Sequence, residues 1–411
     1  MTEDAPPAQA LSAAFDGDLL TDYVPDALGA VDVRRLLCTG RPLEDPLHVG
    51  HLRVPLARRL EVVPVVSCAA RARMLRLTEQ ALSAHVPRPE VFSYRSLDWR
   101  YRPAYQERQH HLRALAARGG LPLVLVLDVH RFGRSLPLDV LCRTPWMTER
   151  LAEALTALYS AAGRALLPGH RWANRLATAV LAPLDDAVAS LAPGRWTRWG
   201  DDLHVFVRDH AEADDIRAAA AAVLRRLGLR LSAEKSTVTG AASVLTRSAR
   251  VIRGRAQDVW RSGLSDGDVQ ALRYALPRTP PDDTVSRTLV GAVRDHPGLL
   301  PRAVHYLDRA AHSPAARAAA EDLLLTAEPD AFAAARLLPL AARHPGLVPA
   351  VPDALLAVAE ESEVGPLREL AFRVAVSGGR RHTWPPTPRM RGRLAQGAEL
   401  ARDLPDVNTL L

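Results

Sequence analysis

The stretch that most restricts the fold is "LPLVLVLDVH", residues 121–130. It is a continuous apolar run without alternation, the pattern of a β-strand buried on both faces. Such a strand has to lie inside a layered arrangement and cannot border solvent. The run ends in Asp128. A carboxylate closing a buried strand is costly unless its charge is paired or holds a metal ion.

The neighbouring segments supply the layers. "TERLAEALTALYSAAGRALL" places Leu151, Leu155, Leu158, Ala162 and Leu166 on one helical stripe. "RLATAVLAPLDDAVASL" does the same with Leu176, Val180, Leu184, Val188 and Leu191. "RWTRWGDDLHVFVRD" reads as two short strands folded about "GDD", residues 200–202. "EADDIRAAAAAVLRRLGLRL" predicts a helix with Ile216, Val223 and Leu227 inward and Gly228 at its C-terminal cap. The order is strand, helix, helix, hairpin, helix, strand, an α+β arrangement. Upstream, "RLEVVPVVS" reads as a strand and "RARMLRLTEQALSAHV" as a helix, with a short helix around "PDALGAVDVRRLL".

At 411 residues the chain is long for one domain. Beyond residue 250 it becomes alanine- and leucine-rich helix broken by proline. "HPGLLP" at 296–301 recurs as "HPGLVP" at 344–349, an offset compatible with helical-pair repeats. The divisions are therefore an N-terminal helical extension over 1–50, an arginine-rich segment over 51–120, a mixed strand-and-helix segment over 121–250, a helical-repeat domain over 251–378 and a basic, proline-containing tail over 379–411. Apolar residues at 48% with 24% charged suit a globular protein with a sizeable core. Cys38, Cys68 and Cys142 form no metal spacing and no disulfide framework. With an acidic N-terminus unlike a signal peptide and no run of about 18–20 apolar residues, the expectation is a soluble, cytoplasmic protein with no membrane partner. A net charge of +7 leans toward polyanionic partners.

Three carboxylates stand out: Asp128, and Asp201 with Asp202 in the hairpin turn. If the two strands are neighbours, these groups approach from adjacent strand ends. That geometry suits two divalent cations, one activating an attacking hydroxyl and both stabilising the phosphate in transfer. Magnesium, which takes a few carboxylates plus substrate phosphates and water, is the expected ion, with manganese as the substitute.

In their order these motifs resemble the reverse transcriptase family, over roughly residues 55–245. "LVLDVHRFGRSLP" looks like the first palm motif, with Asp128, an aromatic and Ser135. "LLPGHRWANRLATAVLAPLDD" is similar to the glycine-then-helix motif beneath the template and incoming nucleotide, with Gly169 at the matching glycine. "RWGDDLHVF" resembles the Tyr-x-Asp-Asp hairpin, with Trp199 in place of the tyrosine. "LGLRLSAEKSTV" looks like the following motif, whose lysine lies near the triphosphate. "VFSYR" at 91–95 followed by "ERQHHL" is similar to the approach in bacterial abortive-infection and phage-defence members. The resemblance implies fingers over 51–120, a palm over 121–250 and a HEAT-like all-α domain in place of a thumb. It implies RNA-directed DNA synthesis in antiviral defence, template-independent or protein-primed synthesis being open.

Lys235 is the one lysine among 53 Lys and Arg. Arginine keeps its proton at physiological pH, whereas lysine can be tuned to release it. A composition drifting toward arginine can replace every lysine needed only for charge and spare one used as an acid toward departing pyrophosphate. Departures from the family pattern are equally informative. Gly133, after Phe132, occupies the position where these relatives carry an aromatic wall against the ribose 2′-hydroxyl, so relaxed sugar selection is expected. "LPGH" replaces Pro-Gln-Gly, which leaves the template contacts near His170 and Arg171 open; Arg171 and Trp172 are the candidate template or primer contacts. Arg59 and Arg71 are the candidates for triphosphate contact.

The expected partners are nucleic acid bound through its phosphates, without sequence preference, and nucleoside triphosphates, with a homo-oligomer left open. Trp99, Tyr101, Trp172 and Trp199 are available for base stacking, Trp199 at the primer end. Tyr274 and Tyr306 are the tyrosines considered as protein primers. Two rivals remain: an RNA-synthesising polymerase, and a catalytically silent helical-repeat binding protein.

Overall fold

The computed structural model describes residues 49–56, 59–167, 169–247 and 254–380. In chain order the strands are β1 (Val49–Leu56), β2 (Arg59–Val66), β3 (Leu123–Leu127), β4 (Trp196–Trp199), β5 (Asp202–Val207) and β6 (Thr237–Gly240). The helices up to residue 247 are α1 (Cys68–Ala81), α2 (Tyr101–Ala116), α3 (Phe132–Ser135), α4 (Leu138–Cys142), α5 (Glu149–Ala162), α6 (Arg171–Val180), α7 (Ala182–Leu191), α8 (His210–Arg226) and α9 (Ala241–Arg247). Those beyond it are α10 (Ala256–Asp266), α11 (Val269–Ala275), α12 (Asp283–Asp295), α13 (Leu300–Arg309), α14 (Pro314–Thr326), α15 (Ala331–Arg343), α16 (Asp353–Glu360) and α17 (Gly365–Ser377). The result is a mixed α+β, mostly helical fold with two small antiparallel sheets.

The chain divides into two compact units. Among the described residues, one takes residues 70–247 and the other residues 49–69 with 254–380. The arginine-rich segment expected over 51–120 is thus shared between them.

In the first unit a four-stranded sheet runs β4-β5-β3-β6. The apolar run at 123–127 is the predicted buried strand: Val124 and Leu125 are fully buried and Leu127 nearly so. It is flanked on both edges, by β5 through Leu127↔Leu203 and by β6 through Val126↔Thr237. Because successive side chains alternate, Val124, paired with Phe206, faces one side. There it meets Leu112 and Leu115 of α2 and Ala241 and Val244 of α9. Leu125 and Leu127 pack on the opposite face, and α8 lies against β3 and β5.

The helices follow the sequence with three corrections. The segment expected as one helix through 175–191 is two, because the backbone breaks at Leu181 and Pro183 enters the first turn of α7. Leu191, expected inward, is exposed at the end of α7. The stripe through Leu166 also ends early, since Gly163 takes the left-handed conformation just after α5. By contrast, α8 terminates as expected at Leu227 followed by Gly228, φ 67°. It begins on Asp209, whose side chain accepts from the Glu212 N–H.

In the second unit the β1–β2 hairpin contributes Leu52, Val54, Val63 and Val65 to a core shared with the helices α10 to α17. The repeat shows in the backbone. Asp282 caps α12 and Asp330 caps α15, each accepting from the N–H three residues on. Each helix ends at a histidine, His296 or His344, followed by a 3₁₀ turn at Pro297–Leu299 or Pro345–Ala350. Among the described residues no helix is long and apolar enough to cross a membrane. The expected helix at "PDALGAVDVRRLL" and the basic tail from residue 381 lie outside the described residues.

Candidate active site

Register brings the candidate acids together. The pairing Leu127↔Leu203 leaves Asp128 and Asp202 next to each other at the ends of neighbouring strands. Alternation sets both on the face that α2 covers. On its other edge the chain past β3 continues through a bridge between Val129 and Leu231, and the Ser232 N–H donates to the Asp128 carbonyl at 2.8 Å. The following turn, closed by Ser236 N–H to Ser232 C=O at 2.9 Å, delivers Lys235. Its ammonium donates to Asp128 Oδ2 at 3.0 Å. Asp128 is buried, whereas the Lys235 side chain is 67% exposed.

The turn bearing Asp201 is held from beneath. Trp199 pairs with Asp202, so Gly200 and Asp201 form the two-residue connection, with Gly200 at φ 62°. Both backbone groups of Gly200 are fixed: its N–H donates to Ser93 Oγ at 2.7 Å, and its carbonyl accepts from Arg198 at 2.8 Å. Arg198 is fully buried and forks onto Asp185 of α7, with both contacts at 2.6 Å. It also donates to the Thr178 carbonyl at 3.1 Å. Ser93 reaches the turn because residues 90–92 run beside β4: Phe92 N–H donates to Arg198 C=O and Arg198 N–H to Glu90 C=O. The segment "VFSYR" is therefore a brace for the acidic turn.

Charge around the turn is unbalanced. Burial raises the Asp201 carboxyl above the ordinary carboxylate range, and the charges of Asp128 and Asp202 add to the rise. Burial also raises Asp202, although this residue reaches solvent. The Arg108 charge opposes that shift, while the charge of Asp128 and a hydrogen bond with it reinforce the rise. Lys235 is raised, chiefly by its hydrogen bond to Asp128. Arg108 is buried on α2, donates to His204 Nδ1 at 2.8 Å, and lies over the Trp199 ring at 5.9 Å.

Three mutually repelling carboxylates against one lysine and one arginine fit a divalent cation, and an all-oxygen donor set suits magnesium or manganese. Among the described residues no group of three or more His, Cys, Asp and Glu forms a ready-made cage. An ion held here would complete its shell with substrate oxygens and water.

The other expected residues are placed variously. Gly133 is exposed on α3, and a Cβ added there would meet nothing within 4 Å; Phe132 beside it is buried. Gly169 sits at φ 84°, where glycine is at ease. Trp199 is half-buried, edge-on to Tyr101 at 5.3 Å and Tyr105 at 5.7 Å, two exposed tyrosines that stack on each other. Two expected contacts with nucleic acid, Trp172 and Arg171, are instead engaged within the fold. Trp172 is fully buried and offers no face to a base. His170 is buried too, and burial, followed by the charge of Arg71, holds it well below its ordinary value. Arg171 donates to the carbonyls of Leu97 and Trp99, the former at 2.6 Å. Arg71 is buried, and Arg59 belongs to the other unit, its side chain outside the described residues. Tyr306 is buried and exchanges hydrogen bonds with both backbone groups of Asp282, so its hydroxyl is not available as a primer.

Sequence reasoning missed Ser93, Arg108, Asp185 and Arg198. The only available signal was an arginine between two tryptophans in "RWTRW", where a strand's inward positions are ordinarily apolar. Compared with known proteins, the chain matches no protein-family model and no curated protein.

Proposed function

We propose that the chain is a nucleotidyltransferase of the reverse transcriptase type, an RNA-directed DNA polymerase with palm- and fingers-like parts and a HEAT-like helical part. The observation that carries this reading is the meeting of Lys235 with Asp128 at 3.0 Å, across 107 positions of sequence, beside the Asp201–Asp202 turn. Asp-Asp is also common in ordinary surface hairpin turns, but such a turn would require no such convergence. Asp128, Asp201 and Asp202 are the residues to hold two magnesium ions, which when bound supply activation of the attacking hydroxyl and neutralisation of the phosphate charge.

The chain's own residues do the rest. Ser93 and Arg198 pin Gly200, so Asp201 and Asp202 need not reorganise when a triphosphate arrives. Lys235 neutralises Asp128, keeps its proton in that pair, and is the group able to give one to departing pyrophosphate. Trp199, with Tyr101 and Tyr105, offers a surface for the primer's terminal base. Partners on this reading are nucleic acid and nucleoside triphosphates, and the role is antiviral defence.

A second reading, synthesis with ribonucleotides, is favoured by one observation: the open space at Gly133. Purified chain with magnesium or manganese, a homopolymer RNA template and DNA primer, and labelled dNTPs or rNTPs tests both readings. A reaction without template or primer, followed by nuclease and protease digestion, tests protein priming. Asp201→Ala should abolish incorporation and phage protection together. Protection surviving in that variant would instead assign the protein to the silent binding class.

A further inference from the structure

Three arginines in the second unit converge on one pocket without a counter-charge. Arg273 and Tyr274 lie on α11, Arg278 closes the following 3₁₀ turn, Leu276–Arg278, and Arg302 rises from α13. With Gln270 and Pro277 they line a cavity of about 290 Å³, near the lower end of the roughly 300–1,000 Å³ common for small-molecule sites. Among the described residues no carboxylate pairs with any of the three. The Nε atoms of Arg273 and Arg302 are buried without a hydrogen-bond partner. Arg278 is steered instead by its own turn, donating to the Tyr274 carbonyl at 3.0 Å and lying 4.0 Å over that residue's ring.

Like charges gathered without a partner destabilise the free chain, and the half-buried Arg302 feels it: burial lowers its proton affinity, and Arg273 and Arg278 lower it further. Two neighbouring arginines of this unit, by contrast, are engaged. Arg343 donates to Asp308 at 3.0 Å and Arg309 to the Thr279 carbonyl at 3.0 Å. Planar guanidinium forks converging from two helices and a turn match the several oxygens of a phosphoryl group better than a single carboxylate.

We propose that this pocket binds a phosphoryl group, brought either by a nucleoside polyphosphate or by a nucleic-acid backbone. The site lies within the helical unit and does not depend on the polymerase reading.

The test uses the full chain in EDTA, with inorganic pyrophosphate titrated calorimetrically and a labelled single-stranded oligonucleotide followed by anisotropy. Arg273→Gln and Arg302→Gln should each weaken pyrophosphate binding at least tenfold. If the same variants also weaken the oligonucleotide, the source is the backbone; if ATP binding falls and the oligonucleotide is unchanged, it is the free nucleotide. Without anion, Arg302→Gln should melt at or above the wild-type temperature because repulsion is relieved, and pyrophosphate should raise the melting point of wild type alone. Unchanged pyrophosphate affinity in both variants would overturn the assignment. So would a lowered melting point in Arg302→Gln that pyrophosphate still raises as in wild type.

Discussion

Arg198 and Asp185 meet as a fork on a fork, 2.6 Å at both contacts, with side chains 0% and 3% exposed, directly under the turn that carries Asp201 and Asp202. The pair holds the acidic turn to α7, and the same guanidinium takes the Gly200 carbonyl. Removing one member leaves a buried charge without its partner, which costs about 3–5 kcal/mol. Asp185→Leu should therefore lower stability by about that amount in urea denaturation. Asp185→Leu combined with Arg198→Met should recover most of the loss while leaving Gly200 unpinned. Loss of under about 1 kcal/mol in the single variant would mean the pair is dispensable.

Ser93 grips the other backbone group of the same turn. Ser93→Ala leaves the Gly200 N–H without its acceptor, at about 1–3 kcal/mol. On the proposed function the turn loosens, so kcat should fall about tenfold or more with little change in KM. A fall in KM-dependent binding alone would place Ser93 outside the positioning of the acids.

Lys235→Arg distinguishes charge from proton transfer. Arginine can keep the contact with Asp128, so the melting temperature should hold. It does not surrender a proton at physiological pH, so nucleotide incorporation should drop by about 10²–10⁴-fold. Full activity in this variant would reduce Lys235 to a counter-charge.

The open space at Gly133 can be filled. With nothing within 4 Å of an added Cβ, Gly133→Phe should fold normally. It should raise the ratio of deoxyribonucleotide to ribonucleotide incorporation, read in matched competition assays. An unchanged ratio would remove Gly133 from sugar selection.

Acid stability tests the start of α8. Burial works to raise Glu212, but hydrogen bonds from the Arg195 side chain and from both backbone and side chain of Arg208 outweigh it and hold the carboxyl at about 2. Its value in the unfolded chain is 4.5, so its stabilisation is fully present above that pH. It fades as the pH falls from there through about 2. Glu212→Gln should be less stable than wild type by about 1–3 kcal/mol at pH 7, and the difference should close over that acid window.

The sequence by itself determined what short-range chemistry controls. The unbroken apolar run at 123–127 could only be an interior strand, "WGDD" could only turn tightly because Gly200 accepts a positive φ, and Gly228 ended α8 for the same reason. The recurring "HPGL" marked matching helix ends. In a chain where nearly every cation is arginine, the two tryptophans around Arg198 were the one local hint of burial, and nothing local separated the buried Arg175 and Arg108 from arginines in water. Nor did helical periodicity show that Trp172 would face wholly inward. Those outcomes were decided by tertiary structure, because the pairings join residues 13 to 107 positions apart: Asp185 with Arg198, Glu79 with Arg175, Gly200 with Ser93, Asp128 with Lys235. The burial that gives such pairings their strength exists only once strands and helices have closed around them.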